Sequence, residues 1–335
     1  MSSATTETAI RSCSIIGVGA YAPERILSNA DLEELVETSD DWITSRTGIK
    51  ERRIARDDEY TSHMAVAAAE KALQMAEVSP ADIDLIIVAT ITPDMPFPAT
   101  ACLVQHQLGA NRAAAFDLEA ACSGFVYGLQ VASRFIATGT AENALVIGAE
   151  KISSIIDWTD RNTCVLFGDG AGAAVLSHRP NSRGIIETKL GADGGKAALL
   201  AMPGGGCQLP ATATSLEARQ HFLKMDGKET FKNAVTAMAS ATKETLESAG
   251  MSIEDIDLVI PHQANMRILS AVGDRIGVAP ERVFANVDRY GNTSAASVGI
   301  ALDEAYRTGA IQPGSKILLL VFGAGLTWGA SIIEW

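Results

Sequence analysis

The chain has 335 residues, 47% of them hydrophobic and 20% charged, with a net charge of −13. That length suffices for one large core or two smaller ones. The acidic balance excludes sequence-independent nucleic-acid binding, and any anionic ligand must meet a local basic patch. The five cysteines, Cys13, Cys102, Cys122, Cys164 and Cys207, are scattered and form no Cys-x-x-Cys pair. This favours reduced thiols over a disulfide framework. The five histidines show no metal-ligand spacing with them, so no metal is expected. Residues 1–9 lack an apolar signal core. No apolar run reaches the ~18 residues of a membrane span, so a cytoplasmic protein is expected.

In chain order, an alanine-rich helical stretch at 62–76 precedes Asp82-Ile83-Asp84-Leu85-Ile86-Ile87-Val88, a buried strand pattern. A strand over 113–118 follows Leu108-Gly109. Cys122 then opens a helix with apolar Phe125, Leu129, Ala132 and Ile136 that ends near Gly139. Residues 144–149 form another apolar strand. Gly168-Asp169-Gly170-Ala171-Gly172 resembles a dinucleotide loop, but no helix follows it, so a close-packed strand is expected. Pro180, Asn181 and Ser182 read as a linker dividing 10–180 from 184–335. Residues 191–219, with Pro203-Gly204-Gly205-Gly206, read as loops suited to covering a ligand channel.

The same order then recurs. A helix over 230–248 precedes the strand Asp255-Ile256-Asp257-Leu258-Val259-Ile260. Ile276-Gly277 precedes a strand through Phe284, then Asn292 and a helix, and 319–324 parallels 144–149. Such self-similarity points to a duplicated α/β unit. Two like halves about a pseudo-twofold axis would bring Cys122 and Asn292 to one cavity. His262 would end a neighbouring strand.

Each of these residues has a plain and a chemical reading. Cys122 is either a small buried hydrophobe or a helix-terminus thiol favoured as thiolate. His262, after Leu258-Val259-Ile260-Pro261, is either bonded to backbone or placed at a pocket rim. Asn292 is either a helix N-cap or a donor to a ligand. Small residues around it, Gly291, Ala295 and Ala296, permit close backbone approach. The turn Phe322-Gly323-Ala324-Gly325 can present bare N–H groups after a buried strand.

Three blocks are specific in combination: Asp41-Trp42-Ile43 with Arg46-Thr47-Gly48-Ile49, His262-Gln263-Ala264-Asn265, and Gly291-Asn292-Thr293-Ser294-Ala295-Ala296-Ser297. Through them the chain, over 10–335, resembles the β-ketoacyl-acyl carrier protein synthase III family. These are the initiating condensing enzymes of bacterial fatty-acid synthesis. The resemblance implies an α/β thiolase-like fold, five-layered α-β-α-β-α with two duplicated halves, and a homodimer. It implies that Cys122 accepts an acyl group from acetyl-CoA or another short acyl-CoA. His262 and Asn292 then stabilise the enolate made from malonyl-acyl carrier protein, and the N–H groups of Cys122 and Ala324 hold the oxyanion.

No cofactor is implied, acyl-CoA being a substrate. Trp42 and Arg161 would sandwich the CoA adenine, Trp42 alone reading equally as core. Arg46 would meet its phosphates, and Thr47, Gly227, Phe231 and Asn265 would line the channel. The carrier protein would dock on Lys232, Gln263, Ala264, Asn265, Met266, Arg267 and Arg275. Phe97 would reach the partner's acyl pocket. Two departures stand out: Ala324 replaces the usual glycine, and Asp274 replaces a basic residue beside Arg275. The alternative in the same fold is a condensing enzyme of secondary metabolism with another starter or acceptor. A Cys-His-Asn hydrolase and a silent acyl-CoA sensor are the readings from other classes.

Overall fold

The computed structural model describes residues 11–180 and 182–335. Ile10 and Asn181, at the edges of the expected halves, lie outside them, as do residues 1–9. The first sheet holds β1 (Ser14–Tyr21), β2 (Leu85–Ala89), β3 (Ala114–Leu118), β4 (Asn143–Glu150) and β5 (Gly170–Ser177), in the order β1-β5-β4-β2-β3. The second holds β6 (Ile185–Ala192), β7 (Leu258–Pro261), β8 (Lys316–Gly323) and β9 (Thr327–Glu334), in the order β6-β9-β8-β7. The first four strands of the first order coincide with the second order, with the same sense of pairing, and β3 is the extra strand of the first sheet. In each sheet the first two pairings are antiparallel and the next is parallel.

The main helices are α1 (Asp40–Thr47), α2 (Thr61–Ala76), α3 (Thr100–Leu108), α4 (Gly124–Ala137), α5 (Gly227–Ala249), α6 (Met266–Ile276) and α7 (Ala296–Arg307). Phe125 and Leu129 of α4 and Val298 and Leu302 of α7 share one core with Ile87 and Val146 of the first sheet and Leu319 and Val321 of the second. Those two helices therefore form a middle layer. The alanine face of α2, with α3, covers the first sheet outside. Helices α5 and α6 cover the second. The expected five layers are present. Strands β2, β4 and β8 are near-continuous buried apolar runs because both their faces are covered.

Gly168-Asp169-Gly170 does lead into a close-packed strand rather than a phosphate loop. A Cβ at Gly172 of β5 would lie 2.5 Å from the Gly299 carbonyl carbon of α7, and one at Gly148 of β4 would lie 2.2 Å from the Ala295 carbonyl oxygen. Only bare backbone lets α7 seat on the first sheet, carrying residues 292–295 with it.

Three expectations are corrected. The strand expected from Asp82 begins at Leu85, because Pro80–Asp82 form a 3-10 turn and Asp84 Oδ2 accepts the N–H groups of Glu142 and Asn143. The strand expected from Asp255 likewise begins at Leu258, after a 3-10 turn at Ile253–Asp255, and Asp257 Oδ2 accepts the Lys316 N–H. The expected strand through Phe284 is reduced to one bridge, Val259 with Val283, and one bond from the Phe284 N–H to the Val259 carbonyl. It ends there because Gln263 takes over: its Nε2 donates to the Phe284 carbonyl and its Oε1 accepts the Asn286 N–H. The 191–219 segment is mainly loop, with a 3-10 stretch at Gly194–Leu199 and a short helix at Ala213–Glu217.

Gly172→Ala should cost about 1–3 kcal/mol through overpacking. A thermal unfolding midpoint lowered by several degrees is the expected reading, and an unchanged one would contradict the seating of α7.

Candidate active site

Cys122 sits in a 3-10 turn, Ala121–Ser123, between β3 and α4. Ala121 adopts a left-handed φ of 45°, a strained conformation of the kind that collects at functional sites. The turn is pinned from the second half. Thr327 Oγ1 donates to the Ala120 carbonyl at 2.9 Å, and a Cβ at Gly323 would lie 2.7 Å from the Cys122 nitrogen. The end of β8 thus abuts the start of α4, as the duplicated frame requires.

His262 extends β7: its N–H donates to the Leu320 carbonyl at 2.7 Å. Its Nδ1 lies 2.7 Å from Ser297 Oγ on α7, which also accepts the Gln263 N–H at 3.4 Å. Ser297 thus holds the ring by Nδ1 and leaves Nε2 without a partner among the described residues. Burial pushes the imidazole down to about 3, so the ring is neutral.

Asn292 is held by backbone on both sides. Its N–H donates to the Leu166 carbonyl, and its carbonyl accepts the Gly168 N–H. Its Oδ1 accepts the Ser294 N–H at 2.9 Å, which leaves Nδ2 as a donor. The N-cap reading of Asn292 does not hold, because α7 starts at Ala296 with Ala295 in the cap position.

Cys122, His262 and Asn292 line one cavity of about 560 Å³. Around it stand Trp42, Arg46, Thr47, Gly227, Phe231, Ala264, Asn265 and Arg267, together with Lys228 and Asn162. Cys122 also lines a second cavity of about 730 Å³, with Ser294, Ala324 and Pro96. The nucleophile candidate therefore stands between two chambers.

The outer residues are arranged as follows. The Arg46 and Arg161 guanidiniums lie 4.6 and 4.8 Å from the Trp42 ring centre, and Arg161 donates to the Glu37 carbonyl. Trp42 is half-buried, so it serves both packing and the cavity mouth. The Thr47 hydroxyl is already committed, donating to the Ile43 carbonyl and accepting the Ile49 N–H. Asn265 caps α6 through Oδ1. Arg267 lies over Phe231 at 5.8 Å. Lys232, Arg275 and Asp274 are exposed, and Met266 is half-buried. Gln263 is 1% exposed, so its place among the docking residues is corrected. Its amide is spent inside the fold on Pro261, Phe284 and Asn286. Phe97 is 84% exposed.

The expected thiolate is also corrected. Burial pushes the Cys122 thiol up to about 12, with Glu150 raising it further; hydrogen bonds from Ser294 and the Cys122 backbone pull the other way. Desolvation is the largest of these effects and favours the thiol.

The family description 3-oxoacyl-[acyl-carrier-protein (ACP)] synthase III matches residues 116–194, and its C-terminal counterpart matches residues 246–335. A β-ketoacyl-[acyl-carrier-protein] synthase III of Caldanaerobacter subterraneus subsp. tengcongensis is 56% identical over 321 residues, 96% of this chain and 97% of that protein. The chain belongs to the 3-oxoacyl-[acyl-carrier-protein] synthase III family. It is an acyltransferase of the condensing type. The crystal structure of the Aquifex aeolicus synthase III is similar at 49% identity and a TM-score of 0.89, covering 96% of this chain and all of that one. The priming β-ketosynthase of the R1128 polyketide pathway is similar at 38% identity and a TM-score of 0.90, covering 97% of each chain.

Sequence reasoning missed Ser294, Ser297, Glu150 and Lys228. Ser294 and Ser297 lie inside the quoted third block but carry no signal separating them from its small neighbours. Glu150 did carry one: a lone carboxylate closing an apolar strand.

A neutral His262 has a pH consequence. A histidine whose folded value lies below its free value stays uncharged above about pH 3. Malonyl-thioester decarboxylation by a Cys122→Ala enzyme should therefore show no limb near pH 6.5. A loss of rate centred there would contradict the assignment.

Proposed function

We propose that the chain joins a short acyl-CoA starter, acetyl-CoA first among them, to malonyl-acyl carrier protein. The products are 3-oxoacyl-acyl carrier protein, CoA and carbon dioxide, and the reaction initiates fatty-acid synthesis. The observation that carries this is the meeting of a buried thiol, a neutral imidazole and a fixed carboxamide on one cavity.

Cys122 sulfur attacks the acyl-CoA carbonyl and keeps the acyl group. After CoA leaves, the malonyl thioester enters the same cavity. His262 Nε2–H and Asn292 Nδ2–H donate to its carbonyl oxygen. They favour the enolate because charge develops where two fixed neutral donors already point. Neutral donors suit the task, since a charged imidazolium would be costly at this depth. The enolate carbon attacks the acyl-Cys122 carbonyl, and the N–H groups of Cys122 and Ala324 receive the oxyanion. These steps use side chains and backbone alone and call on no metal or redox cofactor.

Trp42, Arg46 and Arg161 form the nucleotide end of the CoA path, with Thr47, Gly227, Phe231 and Asn265 along it. Lys228 and Arg267 give an acidic protein the local positive charge its anionic substrates need. Lys232, Arg267 and Arg275, beside Ala264, Asn265 and Met266, make the carrier-protein face, with Asp274 weakening its edge. Exposed Phe97 fits insertion into a second copy of the chain, giving a homodimer. A cytoplasmic setting follows from the substrates. Priming of polyketide assembly is supported by the 38% likeness to the R1128 enzyme; the 56% likeness to an initiating synthase favours the first reading.

Cys122→Ala should form no acyl-enzyme by mass spectrometry yet retain malonyl decarboxylation. His262→Ala and Asn292→Ala should each lose about 10²–10³-fold in decarboxylation while still accepting the acyl group. Normal decarboxylation by His262→Ala would overturn these roles. Arg46→Ala should raise KM for acyl-CoA about tenfold at unchanged kcat, as loss of uniform binding requires.

A further inference from the structure

For Asn292 to act as a donor, its carboxamide must face the cavity with nitrogen rather than oxygen. The backbone bonds to Leu166 and Gly168 fix where residue 292 lies, but not which way its amide is turned. One hydrogen bond decides that. The Ser294 N–H donates to Asn292 Oδ1 at 2.9 Å. Turned over, the amide would set its own N–H groups against that donor. The direction of Nδ2 therefore depends on where residue 294 is held.

Residue 294 is held under strain. It is 1% exposed and adopts a left-handed φ of 50°, a conformation that persists in a non-glycine residue only where its surroundings impose it. The imposing contact comes from the other half of the chain. Ser294 Oγ donates to Glu150 Oε1 at 2.9 Å. Glu150 ends β4 two residues after Gly148, so both positions face the start of α7. Gly148 leaves room for the Ala295 carbonyl, and Glu150 grips the residue before it.

Glu150 itself cannot swing. It is fully buried, and its Oε2 accepts from Thr90 Oγ1 at 3.1 Å, Thr92 Oγ1 at 2.6 Å, and the Ile91 and Thr92 N–H groups at 3.1 and 3.2 Å. Thr92 Oγ1 in turn accepts the Lys151 N–H at 2.9 Å, which ties the segment after β2 to the end of β4. A buried carboxyl is tolerated when its oxygens are satisfied, and a satisfied network of this kind rigidifies its members. Oε2 anchors the side chain, and Oε1 reaches across to Ser294.

We propose that Glu150 is a positioning residue for Asn292: through Ser294 it holds the turn that aims the Asn292 Nδ2–H at the malonyl thioester oxygen. This rests on the condensing reaction assigned above and adds the residue that sets the donor's direction. No bond is made or broken in this role. The tether requires a hydrogen bond rather than a charge. Glu150→Gln can keep its oxygen on the Ile91 and Thr92 N–H groups and present its nitrogen to Ser294 Oγ, donor and acceptor exchanged.

The test reads malonyl-acyl carrier protein decarboxylation in the Cys122→Ala enzyme, where the thiol plays no part. Adding Ser294→Ala or Glu150→Ala should lower kcat about tenfold at unchanged KM, because a misaimed donor weakens the transition state and not the bound substrate. Adding Glu150→Gln should keep most of the rate. When Asn292→Ala is also present, the tether changes should cost nothing further, since residues acting as one unit are not additive. With Cys122 restored, each variant should still take up an acyl group from acetyl-CoA. CoA affinity, measured by calorimetry, reports folding, and Ser294→Ala alone decides if Glu150→Ala does not fold. Tether variants that bind CoA normally and decarboxylate at full rate would overturn the proposal. So would an equal loss in the Asn292→Ala background, or a Glu150→Gln loss as deep as that of Glu150→Ala, which would assign the effect to charge. A Cys122→Ala enzyme with the tether intact that never decarboxylates would instead overturn the reaction on which the proposal rests.

Discussion

The absence of side chains where α7 meets the first sheet is the constraint on which the site depends. Gly148 and Gly172 leave room for the backbone of Ala295 and Gly299 to lie directly on β4 and β5. That contact fixes the depth of α7, and the segment before it carries Asn292 and Ser294. Asn292 is then locked between Leu166 and Gly168, while Ser297, in the first turn of the helix, sets the His262 ring. One intimate backbone contact thereby aligns residues from both halves around Cys122. Interdigitated cores transmit small displacements rather than absorbing them, so Asn292 and His262 inherit their placement from this packing.

Water exclusion sets the chemistry that such a site can do. The same desolvation holds the Cys122 sulfur protonated, the His262 ring neutral and the Glu150 acid near neutrality. The resting pocket carries little formal charge. On the proposed mechanism, charge develops on the enolate and then on the oxyanion, beside donors already in place. In a low-dielectric interior such donors count for more than in water and need no rearrangement. Positive charge lies on the same cavity's lining, in Arg46, Lys228 and Arg267.

Much of this was legible in the residues. The alternation of helix and strand, the repeat of the first half in the second, and the convergence of Cys122, His262 and Asn292 all followed from periodicity and from loops placed at equivalent points. What escaped were features that depend on contact across the repeat. Nothing local marks Gln263 as buried, since its role is to bond Phe284 and Asn286 from another segment. The state of the Cys122 thiol was misjudged because a helix terminus is visible in sequence and the depth of burial is not. Ser294 and Ser297 looked like filler among small residues until the fold set one beside the thiol and the other beside the imidazole.

The side chain of Gln263 stands in for the strand that the second sheet lacks. Beside β7 only one bridge survives of what would be a fifth strand, and an open row of backbone groups invites pairing with a foreign chain. By gripping the Phe284 carbonyl and the Asn286 N–H, this amide holds a coiled segment over that border. The residue thus acts as a guard against self-adhesion, letting an acidic enzyme keep a truncated sheet without recruiting neighbours into it.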